Sequence, residues 1–156
     1  MIELHSTKDS PPLAVLQRGG EMILFPWAEL LALRELVAAV PPAAAADEDY
    51  PRVERGPWAA SGSSFGIALM HAGLKTLFPE AVEWEQLARL LYVGEELLSL
   101  VEVAALTGWA QPNVSSAVSS GRLFAFQVPG FQRRQWRVPR RAVEEWMENK
   151  IPKSRP

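Results

Sequence analysis

Apolar positions along this chain recur with two periods, and the change from one to the other marks its elements. Leu13-Ala-Val-Leu-Gln-Arg and Glu21-Met-Ile-Leu-Phe are short apolar runs separated by Gly19-Gly20. Two glycines supply the positive φ of a tight turn, so this segment is predicted to be a β-hairpin. From Pro26, residues Trp27, Leu30, Leu31, Leu33, Leu36, Val37 and Val40 follow at steps of three and four, which predicts an amphipathic helix that Pro41-Pro42 stops. Residues 1–11 read as a loose lead-in. Ser61-Gly-Ser-Ser is a helix-start pattern, with Ile67, Met70, His71, Leu74 and Leu77 on one helical face. Pro79 opens a further helix whose apolar face is Val82, Leu87, Leu90, Leu91 and Val93, ending at Gly94.

The last third has the densest pattern. Ser99 followed by Glu102 is a capping box, and Val101, Val103, Ala104 and Leu106 give a short helix. Gly108 suits a turn between helices, with Trp109 expected to plug the angle. Pro112 falls in the first turn of the next helix. There Val114, Ala117 and Val118 face inward, Gln111, Asn113, Ser115 and Ser116 face outward, and Gly121 ends the helix. Leu123–Val128 and Gln135–Val138 alternate like half-buried strands, joined by a loop that starts at Pro129-Gly130. That loop and its second strand carry Gln132, Arg133, Arg134 and Arg137. A last helix runs from Pro139 to Lys150, with Val143, Trp146 and Met147 inside. Arg140 and Arg141 open it, against the helix dipole, which a nearby phosphate would explain.

The expected fold is mainly α within an α+β class. It places a winged helix-turn-helix at the carboxyl end, after a small helical amino-terminal region with a β-hairpin. The expected divisions are 1–42 (hairpin and helix), 43–60 (a Pro/Ala/acidic linker), 61–97 (helical, for dimerisation or partner contacts), 98–150 (winged helix-turn-helix) and 151–156 (tail).

Hydrophobic residues make up 48% of the 156, enough for a packed core. Cysteine is absent, which excludes disulfides and thiolate metal sites and suits a reducing cytoplasm. No apolar run approaches the roughly 20 residues of a membrane span, and no signal-peptide pattern is evident. The net charge of −2 is uneven. Residues 99–156 hold nine Lys/Arg and four Asp/Glu, a net of +5, while residues 1–98 hold seven and fourteen, a net of −7. Only the carboxyl-terminal part is suited to a polyanion.

The Glu102-Val-Ala-Ala-Leu-Thr-Gly helix and turn, the Val114 helix ending in Ser120-Gly121-Arg-Leu, the Arg133-Arg-Gln-Trp-Arg-Val-Pro segment and the Ala142-Val-Glu-Glu-Trp helix together resemble the excisionase-like, MerR-superfamily winged helix-turn-helix domains. The resemblance covers about a third of the chain. It implies a recognition helix bearing Gln111, Asn113, Ser115 and Ser116 for base contacts. It also implies backbone contacts from a wing and its surroundings: Arg122, Gln132, Arg133, Arg134, Arg137, Arg140 and Arg141. The chain departs from the family in having Ala110 at the cap of that helix and no Lys or Arg on its outer face. The hairpin and helix at 13–40 are faintly similar to the amino-terminal halves of Phd-type antitoxins.

Gly62-Ser-Ser-Phe-Gly66 matches the letters of a G-x-S-x-G nucleophile elbow, but Ala59-Ala60 before it does not read as a strand and His71 would share its helix. A helix cap at Ser63 or Ser64 is the expected role. His5 and His71 are too few and too far apart for a metal site. No catalytic residue, metal or cofactor is expected. The expected function is sequence-specific binding of double-stranded DNA by a homodimer, as a transcriptional regulator or a phage- or plasmid-type accessory factor. The alternatives are an excisionase-like protein that bends DNA and an antitoxin-like interaction module with a protein partner on residues 1–97.

Overall fold

The runs on either side of Gly19-Gly20 do pair as strands, and a third strand joins them. The computed structural model describes residues 1–8, 13–128 and 135–150, with the side chain of Lys150 left aside. The chain divides into two units, residues 1–93 and 94–156. In the first, β1 (Ile2–Ser6), β2 (Ala14–Arg18) and β3 (Glu21–Phe25) form an antiparallel sheet in that order. Leu4, Leu16 and Ile23 lie side by side in register on one face. Residues 2–6 are therefore a strand rather than a loose lead-in.

A 3₁₀ turn (Trp27–Glu29) leads into α1 (Leu30–Ala39), which buries Leu30, Leu33, Leu36 and Val37, as the spacing predicts. Two expectations then fail. The stretch 43–60 is not a linker: Pro42–Ala46 is a 3₁₀ turn that buries Ala44, and β4 (Val53–Arg55) and β5 (Trp58–Ser63) follow. The helix expected from Ser61 is replaced by β5, β6 (Gly66–His71) and β7 (Lys75–Leu77), in an antiparallel sheet of order β4-β5-β6-β7. Gly66 to Leu69 are all buried, so β6 is covered on both faces and shows no period-two alternation.

Alanine at 43–46 lets the 3₁₀ turn approach β5, β6 and α2 (Ala81–Leu90) closely. The closest approach is at Gly62, where a Cβ would lie 1.8 Å from the Asp47 carbonyl oxygen. Glycine is there for want of space. The sheets meet around Trp58. Its ring lies 4.8 Å from Phe25, edge-on, and 4.6 Å from His71. Its indole N–H donates to the Glu29 carbonyl at 3.1 Å, and the Glu29 carboxylate lies 2.9 Å from His71 Nε2. His71 is thus a packed strand histidine hydrogen-bonded to the Glu29 carboxylate, not a residue on a helix.

Helix α2 starts where Pro79 predicts, with a Glu80–Glu83 capping box. Its buried face is Glu83, Trp84 and Leu87, whereas Val82 and Leu90, expected inside, are exposed. Trp84 explains the rotation: it is 1% exposed and its indole N–H donates to the Val40 carbonyl at 2.8 Å. A buried N–H needs such an acceptor.

The second unit runs β8 (Leu97–Leu98), α3 (Leu100–Thr107), α4 (Gln111–Ser119), β9 (Phe126–Val128), β10 (Gln135–Pro139) and α5 (Arg140–Lys150). Its antiparallel sheet has the order β8-β10-β9. Val103, Val114, Ala117, Phe126, Val138 and Val143 form its core. Strand β8 was not anticipated, and β9 begins at Phe126, later than Leu123. Five α-helices and ten strands among the described residues make the fold α+β, with a sheet-rich rather than helical amino-terminal unit.

Candidate nucleic-acid interface

The interface is built from the start of α3. Ser99 Oγ accepts from the Glu102 amide at 3.2 Å, and Glu102 Oε1 accepts from the Ser99 amide at 3.1 Å. This reciprocal pairing fixes the first turn of α3. The Ser99 amide and hydroxyl hold the Glu102 carboxylate below its ordinary pKa, aided by the nearby charge of Arg137.

At the other end Gly108, with φ 77°, closes α3 in the left-handed region, and its amide donates to the Ala104 carbonyl at 2.9 Å. Thr107 steers the exit: its hydroxyl donates to the Val103 carbonyl at 2.8 Å and accepts from the Trp109 amide at 3.3 Å. Trp109 does not plug the interhelical angle. It is 37% exposed, and its ring lies 6.0 Å from that of Trp146 on α5.

Ala110 caps α4 through its backbone alone, its carbonyl accepting from the amides of Asn113 and Val114. Pro112 occupies the first turn, where no N–H is required. Val114, Ala117 and Val118 are buried, and α4 packs against α3. That packing turns Gln111, Asn113 and Ser116 to solvent, with Ser115 half-buried. The exposed surface of α4 is therefore amides and hydroxyls, groups that both donate and accept hydrogen bonds.

After α4, the amides of Arg122 and Leu123 converge on the Ala117 carbonyl. Arg122 is exposed, with its Nε donating to Ser120 Oγ at 2.9 Å. On β10, Arg137 lies opposite Phe126 in register. Its guanidinium donates to the Trp136 carbonyl at 2.9 Å and to Gln135 Oε1 at 3.4 Å, which fixes its direction. Gln132, Arg133 and Arg134 lie outside the described residues.

Arg140 and Arg141 have a structural role the sequence reading missed. Arg140 lies 3.5 Å from Glu96 and 3.8 Å from Glu144, and its amide donates to the Glu96 carbonyl at 2.8 Å. Arg141 lies 3.9 Å from Glu95 and 3.8 Å from Glu145. The carboxylates at i+4 and in the loop before β8 offset cations placed against the helix dipole, so no phosphate is needed to explain them. The i, i+4 spacing of Arg140–Glu144 and Arg141–Glu145 was the available signal. Drawing the boundary at Gly94 also brings Glu95 and Glu96 into this unit. Its balance becomes nine Lys/Arg against six Asp/Glu, a net of +3, and −5 for residues 1–93.

Elsewhere, Ser63 ends strand β5 at a hairpin turn and is not a helix cap. Its hydroxyl donates to the Gly66 carbonyl at 2.7 Å and accepts from the Phe65 amide at 3.2 Å. Among the described residues, no helix is long and apolar enough to cross a membrane.

Residues 97–151 match the protein family described as a helix-turn-helix domain, which supports a DNA-binding domain at the carboxyl end of the chain. Neither the curated proteins nor the solved structures contain a match to the chain.

Proposed function

We propose that the carboxyl-terminal unit is a winged helix-turn-helix that binds double-stranded DNA sequence-specifically, and that the protein acts as a homodimeric regulator or a phage- or plasmid-type accessory factor. The observation that carries this reading is α4, whose apolar side is buried while Gln111, Asn113 and Ser116 face solvent. Asn and Gln pair bidentately with adenine in the major groove, and Ser pairs with any base edge. Ser115, half-buried, sits at the margin of this surface. The β9–β10 hairpin serves as the wing, with Gln132, Arg133, Arg134 and Arg137 on phosphate or in the minor groove, and Arg122 beside α4 adds a backbone contact. Arg140 and Arg141 contribute less, since each already lies beside two carboxylates.

No catalytic step is assigned. The chain acts by binding, without metal or cofactor. A second reading draws on the lack of any Lys or Arg in Gln111–Ser119. With cations confined to the wing and its surroundings, backbone attraction outweighs base contacts, as suits an excisionase-like protein that bends DNA. Fluorescence anisotropy of the full chain on duplexes of differing sequence, at a series of salt concentrations, tests both readings. A regulator discriminates between duplexes at constant salt. An architectural protein binds all of them alike and shortens the end-to-end distance in a bending assay. Absence of binding at low salt overturns both.

A further inference from the structure

We propose that β1 is a dimerisation edge, pairing antiparallel with β1 of a second copy about a two-fold axis at Leu4. The inference rests on the homodimer reading above and supplies its interface. β1 is the outer strand of the sheet β1-β2-β3. Its hydrogen-bonding parity follows from one contact. The Thr7 amide donates to the Leu13 carbonyl at 2.9 Å, and Thr7 and Leu13 continue the β1–β2 register in which His5 faces Val15 and Glu3 faces Gln17. In an antiparallel ladder alternate residues point their backbone groups at the partner strand. Thr7, His5 and Glu3 therefore point theirs at β2, and Ser6, Leu4 and Ile2 point theirs at the open edge.

Helix α2 packs against β1, burying Ile2, but the strand itself lacks the sequence devices that blunt such edges. Ile2-Glu-Leu-His-Ser holds no proline and no lysine, and its five residues pair with β2 without a bulge. It is also self-complementary. With Leu4 opposite Leu4 of the second copy, Ile2 faces Ser6, and Glu3 faces His5. Glu3 and His5 are both exposed, on the face opposite Leu4. The seam then sets an acidic residue against a basic one twice and never two like charges. Leu4, half-buried on its own, gains an apolar neighbour. About six main-chain hydrogen bonds form, giving a continuous six-stranded sheet with the order β3-β2-β1 followed by its symmetry mate. Other pairings of β1 with itself break this match: a shift by one residue sends the outward backbone groups out of phase.

Sedimentation of the full chain over a range of micromolar concentrations tests the proposal. The wild-type chain is expected to be dimeric. Leu4→Pro removes an N–H that points at the open edge, so it leaves the β1–β2 ladder intact and is expected to sediment as a folded monomer. As a second variant, Glu3→Cys with His5→Cys places thiols opposite each other in a closely spaced pair. In this cysteine-free chain it is expected to oxidise to a covalent dimer, whereas neither single change does so. A wild-type chain that is monomeric at every concentration overturns the interface, as does a Leu4→Pro dimer as tight as wild type. Should Leu4→Pro unfold, failure of the double cysteine variant to cross-link overturns it instead. DNA binding is scored separately. A monomer that still binds duplex DNA sinks the interface alone, and a β1-linked dimer that binds none sinks the DNA reading alone.

Discussion

Arg18 Nε lies 2.8 Å from Glu83 Oε1, tying the end of β2 to the first turn of α2. Glu83 is 6% exposed and is the one buried charged side chain among the described residues. Burial alone would raise its pKa, but the Glu80 amide at 3.1 Å, Arg18 and the Met1 amino group together hold it below the ordinary carboxylate value. Replacing it with Gln removes the charge that Arg18 and the Met1 amino group pair with, while the amide oxygen can still accept from the Glu80 amide. Glu83→Gln is expected to cost about 2 kcal/mol near neutral pH, less than for a fully buried pair because Arg18 stays partly in water. Since the folded pKa is depressed, this stabilisation is complete above the unfolded value of about 4.5. It is lost as pH falls from there through the folded value. Urea unfolding of both proteins at neutral and at strongly acidic pH checks this, with the gap closing at acidic pH.

Gly62→Ala tests why a glycine precedes Ser63. A Cβ there meets the Asp47 carbonyl oxygen at 1.8 Å and the Tyr50 amide nitrogen at 2.9 Å, and the Gly62 amide also donates to the Tyr50 carbonyl. The backbone on one side or the other must move, at a cost of about 3 kcal/mol. Ser64→Ala, in the adjoining turn, is expected to leave the unfolding midpoint nearly unchanged. Equal midpoints for Gly62→Ala and wild type would show that the close approach is not made.

The Ser99–Glu102 box governs the start of α3. Ser99→Ala is expected to cost about 1 kcal/mol and to raise amide exchange at Glu102 before exchange elsewhere in the unit changes. The Glu102 carboxylate has a lowered folded pKa. Its share of the cap is therefore present above the ordinary carboxylate value and lost as pH falls through the lowered one. Backbone exchange across α3 as a function of pH reads this directly.

The proposed division of labour on DNA has a mutational signature. Replacing Arg133, Arg134 and Arg137 with Ala is expected to weaken binding to all sequences and to flatten the salt dependence by about 0.9 per lost phosphate contact. Replacing Gln111 and Asn113 relaxes specificity by about 1–3 kcal/mol per lost base pairing. Arg140→Ala shifts affinity less than Arg137→Ala, because Glu96 and Glu144 already flank it. Equal loss of affinity for every duplex from both sets would refute the division.

The helix-turn-helix was legible because its signals are local: a cap, a turn glycine, and apolar positions at helical spacing within a few residues of each other. Gly108, Pro112 and the buried trio Val114, Ala117 and Val118 all follow from sequence separations of four or fewer. The sheet β4-β5-β6-β7 was not legible, for two physical reasons. A strand buried on both faces, such as Gly66–Leu69, loses its alternation, and Ile67, Met70 and Leu74 then imitate a helical stripe. The alanines at 43–46 look like a linker by composition, yet their small size is what lets the turn settle on β5 and β6. The charge pairs of Arg140 and Arg141 were half legible: Glu144 and Glu145 are in helical range, but Glu95 and Glu96 come near only through the pairing of β8 with β10. At β1 the alternation of Glu3 and His5 was present, but its partner β2 follows only after a sequence break at Pro11-Pro12, which hides the pairing.

We propose above all that this chain reads DNA sequence through α4. Selection of the purified 156-residue chain on a random double-stranded pool at near-physiological salt is the measurement that bears on this most directly. An enriched motif arranged as repeated half-sites is expected, with enrichment lost at the adenine positions in a Gln111→Ala, Asn113→Ala variant. A pool that binds without any enriched motif, or that does not bind at all, would contradict it.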